Sequence, residues 1–347
     1  MKHPVVAVAL SGGVDSLVSG YLLKQKFKHV FGIHFTTGYE KEPASVELLE
    51  KQLGFPVTIV DLSKTFEKKV VHYFIQTYLE GKTPNPCIIC NKEIKFGELL
   101  QHALNMGADF LATGHYATIV NPLSSPDKTI CQCYLEKGSD PLKDQSYFLS
   151  LLSCDQLEKI IFPLAGMTKK EVKKLAESNR IAPTHPSESQ DICFIQDNNF
   201  SRFIIDKQGL LPKHGNIIDM DGRILGQHTG LHQFTVGQRR GINCPAGEPY
   251  YVKHIDIQNN VLRVCFKKDL SADKLTIAHI NWNFSDQTVI PDIITKIRYS
   301  HKGALSTLTL NGLEGQVVFD EPQNAITPGQ AAVFYKDKRV LGAGIIQ

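Results

Sequence analysis

Three stretches of the chain hold side chains whose types and spacing could do chemistry. The first is Ser11-Gly12-Gly13-Val14-Asp15-Ser16, where the apolar run ending in Ala9 and Leu10 turns into a helical pattern. Glycines let backbone approach a ligand closely. A strand that turns directly into a helix aims N–H groups and the positive end of the helix at one point, which suits a phosphate. The loop has neither the lysine nor the longer spacing of GxxxxGK followed by Ser or Thr, so it is not read as a kinase-type cradle. The alternative is a plain turn, with glycine serving only its φ angles and Ser or Asp capping the helix. The other two stretches carry thiols. Thr83-Pro84-Asn85-Pro86-Cys87-Ile88-Ile89-Cys90-Asn91-Lys92 is a proline-rich loop ahead of a helical pattern, and Cys193 lies in Ser189-Gln190-Asp191-Ile192-Cys193-Phe194-Ile195. A helix N-terminus and a nearby lysine both lower a thiol's pKa, so Cys90 is expected to be reactive.

The elements that must position these groups follow from periodicity. Val5 to Leu10, Leu17 to Lys26, Val30 to Phe35, and Val46 to Leu53 closed by Gly54 alternate strand and helix patterns, the mark of βαβ units and a parallel sheet. Further strands are expected at Val57 to Asp61 and Phe110 to Thr113, and helices at Phe66 to Leu79 and Glu93 to Met106. Thr168 and Glu171 have capping-box spacing ahead of a helix from Val172 to Ser178, with Asn179 and Pro183 marking its end. Phe35 ends the second strand, where this fold either presents a side chain to adenine or buries one in its core. Gly114 and His115 follow a strand at the sheet edge where open α/β sheets bind ligands, and His115 is otherwise an ordinary loop histidine.

Past about Ile195 the pattern changes to short β-rich runs broken by turns, such as Asn216 to Asp219, Asp221-Gly222 and Arg223 to Leu225. Leu305 to Leu310, Asn311-Gly312, Gln316 to Phe319, Ala331 to Tyr335 and Val340 to Ile346 suggest a small closed β-barrel. The 347 residues, 42% hydrophobic and 21% charged, are ordinary for a multidomain globular enzyme. A net charge of +3 leaves any nucleic-acid partner to local patches. The start lacks a signal-like pattern and no apolar run reaches the length of a membrane span, so a cytoplasmic location is expected. Eight cysteines in a reducing compartment point to thiolate or metal chemistry more than to stable disulfides.

The loop at Ser11 resembles the SGGxDS loop of the ATP pyrophosphatases, which hold a pyrophosphate leaving group while a substrate oxygen attacks the α-phosphorus. By that resemblance Ala9, Leu10, Ser11, Gly12, Gly13, Val14, Asp15 and Ser16, with Phe35 and Gly114, bind ATP, and Asp15 helps to hold Mg²⁺. The resemblance widens when the motifs are taken in order. The Ser11 loop, Asn85 to Phe96, Thr113-Gly114-His115-Tyr116, Lys143-Asp144-Gln145-Ser146-Tyr147-Phe148, Ile192-Cys193-Phe194-Ile195, Gly237-Gln238-Arg239 and Thr327-Pro328-Gly329-Gln330 together look like the tRNA-specific 2-thiouridylase family, over nearly the whole chain.

That family implies a Rossmann-like, adenine nucleotide α hydrolase-like catalytic domain (1–197), a β-rich central domain (198–268) and a C-terminal β-barrel (269–347). It implies ATP-dependent 2-thiolation of the wobble uridine of tRNAs for Lys, Glu and Gln, with a persulfide sulfur-donor protein as partner. The 2-oxygen is adenylated, sulfur is carried as a persulfide on Cys193, and Cys90 is the nucleophile that helps release it. The two cysteines close a transient disulfide on the way. By the same resemblance tRNA is met by Asn85, Pro86, Cys87, His115, Lys143, Asp144, Gln145, Arg298, Tyr299 and Gln330. Gln238-Arg239-Arg240 adds local positive charge.

Two departures stand out. Cys87 replaces the aspartate that many members carry, leaving the general base open, and the segment from His34 through Lys41 is short. With Cys87 present, Cys87, Cys90 and Cys193 could also ligate an iron–sulfur cluster with one iron open. Cys131, Cys133, Cys154, Cys244 and Cys265 read as ordinary small side chains. Two rivals remain. One is another ATP pyrophosphatase-type synthetase, which needs no cysteine pair; the other is a non-catalytic RNA-binding protein with a relict nucleotide site.

Overall fold

The computed structural model describes residues 3–40, 45–121, 133–184, 192–197, 199–209, 211–282, 284 and 287–347. Lys41, Cys131 and the stretch 189–191 lie outside them. The chain divides into two compact units, one of residues 1–70, 87–194 and 337–341, the other of 71–86, 195–336 and 342–347.

In the first unit, β1 (Val5–Ala9), β2 (His29–Thr36), β3 (Val57–Asp61), β4 (Phe110–Ala112) and, later in the chain, a two-residue strand at Ile160–Ile161 form a five-stranded parallel sheet. The spatial order runs β3-β2-β1-β4 and ends on Ile160–Ile161. The chain winds outward from β1 in both directions, which opens a crevice at the carboxyl ends of β1 and β4. β1 is apolar throughout and its Val6, Ala7 and Val8 are fully buried, as a central parallel strand covered on both faces requires.

The crossover helices Val14–Lys26 and Val46–Leu53 begin and end by local rules. Ser45 accepts the Leu48 N–H at the start of the second helix, and Gly54 ends it at φ +66°. Helix Lys169–Ser178 opens on the expected Thr168–Glu171 capping box. The cysteine-bearing helix differs from expectation. It starts at Pro86, whose missing N–H costs nothing at a first helical position, and continues through Cys90–Glu98 to Leu99–Asn105. Cys90 therefore lies one turn inside the helix, and the nine residues Cys90–Glu98 are wound as π-helix. β5 (Ala117–Val120), which the periodicity did not reveal, and β6 (Tyr134–Lys137), which adjoins the alternating, strand-like stretch at Cys131 and Cys133, form an antiparallel hairpin in the same unit.

The second unit holds helix His72–Leu79 and, past residue 194, helix Phe200–Gln208. A four-stranded sheet follows, made of Gly215–Ile218, Ile224–His228, Tyr251–Asp256 and Val261–Cys265, over a core that includes Ile217, Val252, Leu262 and Val264. Six longer strands then close a barrel: Ser271–Trp282, Val289–Lys296, Ala304–Asn311, Glu314–Asn324, Ala331–Lys336 and Arg339–Ile346, the first pairing with the last. The expected Asn311-Gly312 turn joins two of them, with Gly312 at φ +61°. The Rossmann-like sheet, small β domain and closed barrel are thus the expected fold class. Among the described residues no helix is long and apolar enough to cross a membrane.

Candidate active site

The glycine loop leaves β1 where the Leu10 N–H bonds to the Ile33 carbonyl at 2.8 Å. Gly12 sits at φ +80°, a left-handed conformation that glycine adopts without strain. Ser16 Oγ donates to the Gly13 carbonyl at 2.8 Å and lies 3.3 Å from Ser11 Oγ, while Thr184 N–H holds the Gly12 carbonyl at 2.9 Å. Gly13 is the N-cap of the helix, and no side chain caps it. The capping-turn alternative therefore fails: the helix start keeps its N–H groups and its partial positive charge for another partner, and an anion fits there.

Gly114 marks the tightest approach. A Cβ on it would fall 2.8 Å from Asp15 C, 2.9 Å from Asp15 O and 3.0 Å from Ser16 N, all backbone atoms, so the end of β4 packs directly on the first turn of the helix. Phe35 is half-buried on β2 opposite Val60.

Asp15 does not cap its helix. Lys169 Nζ reaches both of its carboxylate oxygens at 2.8 Å, and Tyr116 OH donates to one of them at 2.7 Å. The Lys169 side chain is only 11% exposed, so this pair ties the loop to helix Lys169–Ser178 from inside the unit. Sequence reasoning missed both partners. The available signal was position: Lys169, Val172 and Ala176 share the buried stripe of their helix, and a lysine on such a stripe needs a carboxylate. With Lys169 neutralising it, Asp15 in this arrangement is not free to ligate a metal. Among the described residues no group of three His, Cys, Asp or Glu is placed to hold one, Cys87, Cys90 and Cys193 included. The residues present fit a nucleotide phosphate and do not fit Mg²⁺ or an iron–sulfur cluster, so no step is derived through either metal group.

The thiols are free: Cys87 and Cys193 are exposed and Cys90 is half-buried. Although far apart in sequence, the three act on one another electrostatically, Cys193 on Cys87 and on Cys90. Burial pushes the Cys90 thiol up to about 12, against the opposing pull of Lys95. This corrects the expectation of a ready thiolate. Cys90 lies inside the helix instead of ahead of it, and the lysine that acts on it is Lys95, not Lys92. Desolvation by the protein packed around them also raises the thiols of Cys87 and Cys193, although both residues keep exposed surface. Phe194 anchors the Cys193 segment by packing on Tyr39 and Phe66, each at 5.8 Å between ring centroids, and Tyr39 OH in turn donates to Glu67.

His115 is buried, with its ring against Phe96 and Phe162 and its Nδ1 2.7 Å from Thr113 Oγ1. Burial drives its pKa well below the usual value, so the ring is neutral. Asp144 accepts the Ser146 N–H at 3.1 Å and the Ser146 hydroxyl at 3.0 Å, just ahead of the short helix Ser146–Leu149. Gln145 bonds to Tyr116 at both N and Oε1, and Lys143 is half-buried beside them in sequence.

The remaining expected RNA contacts belong to the second unit. Asn85 is buried with its N–H near Tyr73 OH, and Pro86 follows it. Gln330 Nε2 donates to the carbonyls of Thr83 and Pro84 at 3.1 and 3.0 Å. Arg298 reaches the Asn324 and Ala325 carbonyls, and Tyr299 is 40% exposed with Lys296 Nζ 6.0 Å from its ring centre. Of the other cysteines, Cys133, Cys244 and Cys265 are in no disulfide. Cys154 is disulfide-bonded, which corrects its reading as a thiol without a partner.

A doubly wound parallel sheet whose first strand feeds an uncapped, glycine-rich helix start, with free thiols in the same unit, defines a nucleotide-binding α/β domain equipped for sulfur chemistry. Comparison with known families agrees. The profile described as "tRNA methyl transferase HUP domain" matches residues 4–197, "tRNA methyl transferase PRC-barrel domain" matches 203–266, and "Aminomethyltransferase beta-barrel domain" matches 272–346. The tRNA-specific 2-thiouridylase MnmA of Desulfosudis oleivorans is 46% identical over 349 residues, covering 100% of this chain and 96% of the relative. That of Desulfotalea psychrophila is 42% identical over 353 residues, covering 100% of each. The chain belongs to the tRNA-specific 2-thiouridylase MnmA family.

Proposed function

We propose that the chain is a tRNA-uridine 2-sulfurtransferase that spends ATP to exchange the 2-oxygen of the wobble uridine for sulfur, releasing AMP and pyrophosphate. The observation that carries this reading is the presence in one unit of an uncapped glycine-rich helix start and the free thiols of Cys90 and Cys193, which influence one another electrostatically. A bare anion site alone would serve any ATP pyrophosphatase, and the thiol pair is what the synthetase rival has no use for.

In this reading the N–H groups from Ser11 to Ser16 hold the nucleotide phosphates, with Ala9, Leu10, Phe35 and Gly114 shaping the site. The uridine 2-oxygen attacks the α-phosphorus, which makes the oxygen part of an AMP leaving group, far better than hydroxide. Cys193 brings the incoming sulfur as a persulfide received from a donor protein. That sulfur attacks C2, and the Cys90 thiolate attacks the Cys193 sulfur as the S–S bond breaks. AMP departs with the old oxygen. The two thiols supply two electrons to the transferred sulfur and are left as a Cys90–Cys193 disulfide, which a dithiol reductant reopens. Asn85, Pro86, Cys87, His115, Lys143, Asp144, Gln145, Arg298, Tyr299 and Gln330 are each proposed to contact tRNA. His115 is neutral in its buried setting, so any contact it makes there is a hydrogen bond and not an ion pair. The boundaries 1–197, 198–268 and 269–347 are proposed as the domain limits.

The test is direct. The chain incubated with unmodified tRNA for Lys, Glu or Gln, ATP, Mg²⁺ and a persulfide donor is expected to yield 2-thiouridine on nucleoside analysis. Pyrophosphate release without 2-thiouridine would sink the sulfurtransferase reading and leave only the adenylating loop. Inertness toward ATP would favour an RNA-binding protein.

A further inference from the structure

Lys95 stands five residues beyond Cys90, inside the π-wound stretch Cys90–Glu98. Hydrogen bonds that run i→i+5 bring residues five apart onto one face of the helix, whereas α-helical winding would set the same two roughly 140° apart around the axis. The π winding therefore carries Lys95 round to the thiol side.

Lys95 is half-buried, and among the described residues no carboxylate pairs with it. The two acids of its own stretch are engaged elsewhere, Glu93 and Glu98 lying 3.3 and 3.0 Å from Lys69 Nζ. Its charge acts instead on Cys87, Cys90, Cys193 and His115. It is the only cation acting on these thiols among the described residues. His115 is neutral, and the other charged group acting on the cluster, Glu40, disfavours an anion on Cys193. Burial opposes negative charge on every sulfur here, so the site needs a compensating charge to run sulfur chemistry at neutral pH.

We propose that Lys95 is the cation that stabilises negative charge on the sulfurs of this site, a positioning residue that acts through Cys90 and Cys193. Its place in catalysis rests on the sulfurtransferase reading, but its action on the thiols does not. The π-helix gains a purpose by it, since relaxing the stretch to α winding would turn the ammonium away from Cys90.

The experiment is the pH dependence of iodoacetamide alkylation of Cys90 and Cys193 in the full chain, followed peptide by peptide by mass spectrometry. Wild type is compared with K95M, K95Q and K95R, with thermal melting to identify folded variants. An ammonium favours thiolate, so removing it raises both thiol pKa values and displaces the rate–pH profile to higher pH. K95M and K95Q are expected to alkylate about tenfold more slowly between about pH 7 and 9, a displacement of about one pH unit, and K95R is expected to restore the wild-type profile. A profile that stays in place for either thiol in a folded neutral variant overturns the proposal, as does K95R displaced as far as K95M. Alkylation needs neither tRNA nor ATP, so its outcome is independent of whether 2-thiouridine is formed.

Discussion

Replacing Cys193 by serine is expected to reduce 2-thiouridine formation to background while leaving tRNA-dependent pyrophosphate release near the wild-type rate. A serine oxygen cannot accept and pass on a sulfur atom, so the loss is chemical and complete. The segment itself should survive the change. Its anchor is Phe194 on Tyr39 and Phe66, not the thiol, and Cys193 is already exposed. The groups proposed for adenylation lie on separate elements, at the Ser11 loop, which the Lys169–Asp15 pair ties down. Nucleoside analysis and pyrophosphate release measured on one preparation separate the two steps. Wild-type thiolation by C193S would remove the persulfide role, and loss of both signals together would show that the thiol is needed earlier than sulfur transfer.

Gly114→Ala is expected to be the most damaging single methyl group in the nucleotide site. Its Cβ would meet backbone atoms of Asp15 and Ser16 at 2.8 to 3.0 Å, and backbone on both sides cannot swing aside as a side chain does. The first turn of helix Val14–Lys26 must move away from β4, and with it the N–H groups proposed to hold phosphate. Overpacking of this kind costs about 1–3 kcal/mol, a fall of several degrees in melting temperature. The larger loss is catalytic, because a displacement of about 1 Å in a positioning element can cost about 100-fold in rate. Calorimetry and pyrophosphate release check the two effects. A variant that melts and turns over like wild type would mean that the loop does not position the reacting phosphate.

Much of this site is written locally in the chain. The strand, glycine turn and helix around Ser11, the Thr168–Glu171 box, the Gly54 stop and the Asn311-Gly312 turn each depend on a few neighbouring residues, and each forms as expected. What escaped detection depends on partners far along the chain. Strand β5 is short, with too few alternating residues to stand out, and is held by its cross-strand pairing with β6. The four-residue helices Ser146–Leu149 and Cys154–Leu157 span barely one helical period, too little for a hydrophobic stripe to show.

By itself, the amino-acid sequence determined that a glycine-rich strand-to-helix turn exists, that two cysteine motifs accompany it, and that the chain shares its ordered motifs with one family. Those are properties of residue type and spacing. Tertiary structure alone decided what surrounds them. It sent Asp15 to Lys169 and Tyr116, leaving the helix start uncapped for an anion. It desolvated Cys90 until its thiol lost the expected ease of ionisation, and it wound residues 90–98 as π-helix, which brings Lys95 round to the helix face of Cys90. The reason is the range of the forces. Turns and caps are settled by hydrogen bonds within a few residues, whereas desolvation and charge pairing depend on whatever the fold packs against a group.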